Sequence, residues 1–160
     1  MEHLWAPWRN LYVGHPQETK GTDVFAEIAR SADDEANYVL ARGKSCFALL
    51  NLYPYNTAHL MVVPYRATGD LDELDDAELL ELMTMLRRMK QAVTEALHPH
   101  GFNVGINIGA AGGAGIAAHL HVHLVPRWRG DANFMTTTAE TRVHPSDLAS
   151  VYRMIREKLK

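Results

Sequence analysis

The longest regular pattern of apolar and polar positions in the 160-residue chain runs from Asp76 to about Leu97. Leu79, Leu82, Met83, Leu86, Met89, Val93 and Leu97 recur at three- and four-residue spacing, with Glu81, Arg87, Arg88, Lys90 and Glu95 elsewhere, which predicts an amphipathic helix with one apolar stripe. Asp75 occupies the N-cap position with Glu78 three residues on, a capping-box pair, and Leu74 and Leu79 are spaced as a hydrophobic staple. His98-Pro99-His100-Gly101 stops the helix. Its methionines read as core filler.

Shorter patterns place the remaining elements. A helix is expected at Asp23 to Arg30, followed by the polar turn Ser31 to Glu35. Strands are expected at Tyr38 to Arg42, Cys46 to Asn51 and Leu60 to Pro64, the first gap reading as a hairpin, and another at Phe102 to Ile108. A long non-periodic segment, Arg127 to Ser146, precedes a helix from Asp147 to Leu159. Trp128, Arg129, Asn133 and Thr136-Thr137-Thr138 are candidates for ligand contact, with a dimer or surface loop as the alternative. Residues 1–22, rich in Trp, Pro and Gly, read as an extended arm that packs through Trp5, Trp8 and Tyr12.

Period-two alternation is clearest in His119-Leu120-His121-Val122-His123-Leu124-Val125-Pro126. In a strand the three imidazoles share one face while Leu120, Val122 and Leu124 pack the other. At about 3.3 Å per residue, neighbouring histidines lie roughly 6.6 Å apart and the row covers about 13 Å, enough to span a phosphate chain. Imidazole titrates near neutrality, so each ring is a potential nucleophile, donor or ligand. A merely polar strand face is the bland alternative. A metal site is another, but the outer two rings are too far apart to share an ion easily, and no metal is assigned. The run Gly109 to Ile116, just before the histidines, lets backbone N–H groups of Gly112, Gly113, Ala114 and Gly115 approach an anion.

Composition narrows the classes. With 47% hydrophobic and 22% charged residues the chain fits one globular domain. A net charge of −3 gives no general attraction for nucleic acid or anionic membranes, so positive charge for an anionic ligand must be local. Cys46, the only cysteine, excludes an intramolecular disulfide and a Cys-based zinc knuckle, and reads as a small buried side chain. The first residues hold no basic stretch leading into an apolar run, and no stretch approaches 18 apolar residues; the expectation is a soluble, cytoplasmic protein without membrane contact.

His119 to Pro126 matches the His-φ-His-φ-His-φ-φ signature in full, φ being apolar, and the chain resembles the histidine triad (HIT) family. The resemblance extends to Asn51 through Pro64 and to Asn107-Ile108-Gly109, together spanning about residues 37–127. Leu4-Trp5-Ala6-Pro7-Trp8-Arg9 and Pro126 to Met135 are similar to the branch of phosphorylases acting on diadenosine tetraphosphate. The resemblance implies an α+β HIT-like fold, a five-stranded antiparallel sheet with one long helix and a C-terminal helix, in a homodimer or tetramer. One domain would then fill residues 1–160: the arm 1–22, a core 37–127, and a loop with helix 128–160.

It further implies that His121 attacks the α-phosphorus of a nucleotide and carries the nucleotidyl group. His123 would hold nonbridging phosphate oxygens, His119 would orient the nucleophilic strand, and His59 would line the site. Asn51 would contact the ribose, Asn107 the phosphates, and Leu49 and Leu52 the base; Trp128 and the Gly113-Ala114-Gly115 loop complete the expected nucleotide site. Two departures stand out: Gly115 and Ile116 replace a Gln and a Ser or Thr, and Ala67 replaces a His, while the Cys-x-x-Cys through which some members bind zinc is absent. The implied reaction is phosphorolysis of a dinucleoside polyphosphate to ADP and ATP with inorganic phosphate, needing no cofactor beyond Mg²⁺ accompanying the polyphosphate. Hydrolysis releasing AMP and a nucleotide-binding module of low turnover are the alternatives. Nucleophilic attack requires a neutral His121 whose other nitrogen donates to an acceptor, a backbone carbonyl being the expected one.

Overall fold

Asp23 opens the described chain as the N-cap of α1 (Val24–Arg30), its side chain accepting from the N–H groups of Phe25 and Ala26. The structure, a computed structural model, describes residues 23–131 and 147–159; Trp5, Trp8, Tyr12, Asn133 and the Thr136-Thr137-Thr138 run lie outside these residues. After α1 come β1 (Val39–Arg42), β2 (Cys46–Leu50) and β3 (Leu60–Pro64), close to the expected bounds. The long helix α2 (Asp76–Leu97) begins with the predicted capping box, Asp75 and Glu78 each accepting from the other's backbone N–H. Then follow β4 (Gly101–Ile106), β5 (Val122–Arg127) and α3 (Leu148–Glu157).

The strands form one five-stranded sheet in the order β1-β2-β3-β5-β4, every neighbour antiparallel. This is the α+β arrangement expected. Because side chains alternate, the sheet has two distinct faces. Ala48 and Leu50 of β2, with Leu60, Val62, Leu120, Val122 and Leu124, pack under α2 and α3 in the main core. On the opposite face Phe47, Leu49, Met61 and Val63 form a smaller cluster with Phe25 of α1. No described helix is long and apolar enough to cross a membrane.

Two expectations need correction. Met83 is 58% exposed, and Met85 is buried in its place beside Leu82, Leu86 and Met89. The stripe is therefore centred one step around the helix from where Leu79 and Met83 put it. The triad is also not all strand, since β5 begins only at Val122 and its ladder with β3 stops at Val62 opposite Val122. The next positions on β3 lead to Pro64, which has no N–H to donate. The backbone upstream instead docks on a loop, the Leu120 N–H donating to the Thr68 carbonyl at 2.6 Å.

Candidate active site

His59, His119, His121 and His123 are all buried, at 0, 0, 6 and 8% exposure, and lie on the α1 side of the sheet. His59 immediately precedes β3, His123 sits on β5 opposite Met61, and His121 lies one residue before β5. The His121 and His123 ring centroids are 4.8 Å apart, closer than an ideal strand spacing. His119 is sealed beneath the site, so the row is not three equally accessible rings. Phe25 packs on both His119 and His121, with centroids 5.4 and 5.2 Å away.

Hydrogen-bond partners assign the protons. The Tyr55 backbone N–H donates to His59 Nδ1 at 3.0 Å, so the proton of neutral His59 resides on Nε2. That Nε2–H donates to His123 Nδ1 at 2.9 Å, which puts the proton of a neutral His123 on its own Nε2. His121 runs the other way: its Nδ1–H donates to the His119 carbonyl at 2.8 Å, leaving the Nε2 lone pair available. A donor and an available lone pair thus stand on adjacent rings.

Electrostatics keeps both His59 and His121 neutral. Burial pushes His59 down to about 3, with His123 and His121 adding to the effect. Burial lowers His121 as well, and neighbouring His119 lowers it further, outweighing the raising effect of the bond to the His119 carbonyl. An uncharged His121 at neutral pH is what attack on phosphorus requires.

The remaining predicted residues separate into near and far. Asn51 lies beside His59, its Nδ2 3.4 Å from His59 Nδ1 and its Oδ1 accepting from the Tyr53 N–H. Asn107 donates to the Gly113 carbonyl at 3.3 Å and so braces the glycine loop. That loop is not an open cradle: the N–H groups of Gly112, Gly113 and Ala114 donate to Gly109 or Ala110 carbonyls within it, around the turn Ala110–Gly112. The anion-facing role expected of Gly113 and Ala114 N–H groups is thereby corrected, while Gly115 precedes the partly buried Ile116. Leu49 and Leu52 do not flank one surface, because Leu49 is 3% exposed inside the smaller cluster and Leu52 is 56% exposed. Trp128 is likewise corrected, since its indole donates to the Leu97 carbonyl at the end of α2, on the helix-covered face.

Residues 33–130 match the HIT domain. The chain belongs to the histidine triad family. It is 42% identical over 162 aligned residues to a Mycobacterium tuberculosis protein named AP-4-A phosphorylase, covering 97% of this chain and 83% of the relative. It is 32% identical over 115 residues to the Schizosaccharomyces pombe bis(5'-nucleosyl)-tetraphosphatase [asymmetrical], covering 71% of this chain and 63% of the relative. Among solved structures, a zinc-bound histidine triad protein from Mycobacterium smegmatis aligns with a TM-score of 0.70 at 27% identity, covering 86% of this chain and 93% of that one.

Within this histidine triad site, sequence reasoning misses Asp23 and Tyr55. Asp23 Oδ2 lies 2.6 Å from His119 Nδ1, a contact between residues 96 apart in the chain that no spacing rule reveals. Tyr55 reads as part of a turn, yet its N–H sets the His59 tautomer and its ring lies 4.5 Å from that of His59. The Asn56-Thr57-Ala58-His59 run after it forms a tight turn, the His59 N–H donating to the Asn56 carbonyl at 3.1 Å and Ala58 taking a positive φ of 58°. Ile116, a departure from the family pattern, packs against the Phe25 cluster and supplies apolar cover where a hydroxyl is expected.

Proposed function

We propose that this protein cleaves dinucleoside polyphosphates, diadenosine tetraphosphate foremost, by transferring a nucleotidyl group to inorganic phosphate through His121. The observation that carries this reading is the unprotonated His121 Nε2, fixed by Nδ1 donation to the His119 carbonyl and set beside His123. The identity to a relative named AP-4-A phosphorylase supports the choice of substrate and acceptor. His121 Nε2 bonds to the α-phosphorus while the bond from that phosphorus to the bridging oxygen breaks and ATP departs. A phosphate oxygen then displaces Nε2, the P–N bond breaks, and ADP leaves.

The other residues serve that sequence. The His123 Nε2–H donates to nonbridging oxygens, where charge develops on displacement, and His59 keeps that proton in place. Polyphosphate is a good leaving group, so charge neutralisation matters more than a strong general acid, and Mg²⁺ enters with the substrate. Water in place of phosphate would release AMP, the outcome suggested by the tetraphosphatase relative.

Incubation of diadenosine tetraphosphate with and without inorganic phosphate tests the acceptor. Phosphate-dependent ADP alongside ATP is expected; AMP release indifferent to phosphate would overturn phosphorolysis. Quenched wild-type protein should carry an acid-labile, base-stable nucleotide label that His121→Ala lacks.

A further inference from the structure

His119 is fully buried, and both of its ring nitrogens meet acceptors. Nε2 lies 2.8 Å from the Pro64 carbonyl, which only accepts, so Nε2 carries a proton. Nδ1 lies 2.6 Å from Asp23 Oδ2. A proton must occupy this second contact too, on the imidazolium or on the carboxylic acid, because two lone pairs at that distance would repel. Either way the pair is neutral overall and the ring is gripped at both ends. The backbone carbonyl of the same residue receives the His121 Nδ1–H.

Asp23 does two things at once. Oδ1 accepts from the N–H groups of Phe25 and Ala26 to start α1, and Oδ2 holds His119. Phe25, fixed by the same cap, presses on the His119 and His121 rings. One carboxylate therefore locks the ring of His119, the helix that roofs it and, through the His119 carbonyl, the proton that decides which His121 nitrogen is nucleophilic.

We infer that Asp23 is a positioning residue for the nucleophile, acting through a buried, proton-sharing clamp on His119 that holds His121 in its Nδ1–H tautomer. The inference rests on the proposed nucleotidyl transfer for its kinetic consequence but not for its structural one.

Capping and clamping can be separated, because Asn and Ser cap helices about as well as Asp. Asp23→Asn keeps the cap and offers His119 Nδ1 an amide N–H; Asp23→Ser keeps the cap but is too short to reach. The readouts, on the full chain, are ¹⁵N spectra of its histidines at pH 8 without substrate, kcat and KM for diadenosine tetraphosphate, and the thermal midpoint. In the wild type the His121 signals should report the single Nδ1–H tautomer, with mixed tautomers in Asp23→Ser and an intermediate pattern in Asp23→Asn. In Asp23→Ser kcat should fall on the order of a hundredfold with KM within about twofold, since misplaced reacting groups cost turnover more than binding. An unchanged His121 tautomer in Asp23→Ser, or kcat and KM falling into line with lost stability alone, would overturn the clamp. Absence of any cleavage by the wild type would sink the proposed function instead, while the tautomer spectra would still decide the clamp.

Discussion

His59 Nε2 stands 2.9 Å from His123 Nδ1, and the Tyr55 N–H on the far side of His59 makes this a one-way relay of donors ending at His123 Nε2. His59→Phe keeps a ring of similar size but removes the donor to His123 and the acceptor for Tyr55. His123 then loses its fixed tautomer, and kcat is expected to drop at least about tenfold while the nucleotidyl label on His121 still forms. Rapid-quench measurement of label formation beside steady-state turnover checks this; full turnover in the variant would refute the relay.

The same residue shapes stability. His59 is held down at about 3 in the folded protein against an ordinary 6.5, so between these values the unfolded chain binds a proton that the folded one refuses. Stability therefore rises with pH across that window and is complete above 6.5. Denaturant unfolding from pH 4 to 7 should show a steeper rise in the wild type than in His59→Phe.

His121 is shifted downward by burial, so it holds its neutral form to lower pH than an ordinary imidazole does. Single-turnover label formation is expected to show an acid limb centred below 6.5. An acid limb centred at or above 6.5 would contradict the buried, neutral nucleophile.

The parts of the fold written in local pattern were legible: the α2 capping box, the strands around Phe47 and Val62, and the apolar half of the triad, Leu120, Val122 and Leu124. Their signals are periodic and need only nearest neighbours along the chain. The proton assignments were legible in part, since a carbonyl partner for His121 follows from the chemistry alone. What could not be read was pairing across distance. Pro64 ends a ladder and leaves its carbonyl to His119, and Asp23 reaches the same ring from the other side. Trp128 illustrates the opposite failure, because which face of the sheet a residue just past β5 turns to depends on the end of α2 receiving its indole.

Gly69 backs the segment that carries His119 and His121. A Cβ there would sit 2.7 Å from the Ala117 carbonyl oxygen, and this loop also supplies the Thr68 carbonyl that holds Leu120. Backbone cannot retreat cheaply, so Gly69→Ala is expected to cost about 1–3 kcal/mol and to lower turnover with it. Gly101→Ala, where an added Cβ meets nothing within 4 Å, is the control and should leave both unchanged. Thermal melts and turnover on the two variants decide; equal behaviour would mean the Thr68 loop does not set the triad.

Asp131 ties the end of β5 to the turn before His59. It accepts from Arg127 Nε at 2.6 Å and Nη2 at 2.9 Å, from Asn56 Nδ2 at 2.7 Å and from the Trp128 N–H at 3.1 Å. Arg127 above all, with the Trp128 and Asn56 donors, lowers its carboxyl from 3.8 to about 2. A carboxylate depressed on folding contributes stability above its ordinary value and loses it as pH falls through the folded one, here between about 4 and 2. Asp131→Asn removes the charge while keeping an acceptor, and should cost about 1–2 kcal/mol at pH 7, since bonds to charged groups are the stronger ones. The gap between wild type and variant should narrow as pH falls toward 2, because the wild-type carboxyl then becomes increasingly protonated. Urea unfolding at pH 2, 3, 4 and 7 measures that gap, and a difference that stays constant with pH would show that packing, not charge, holds the clasp.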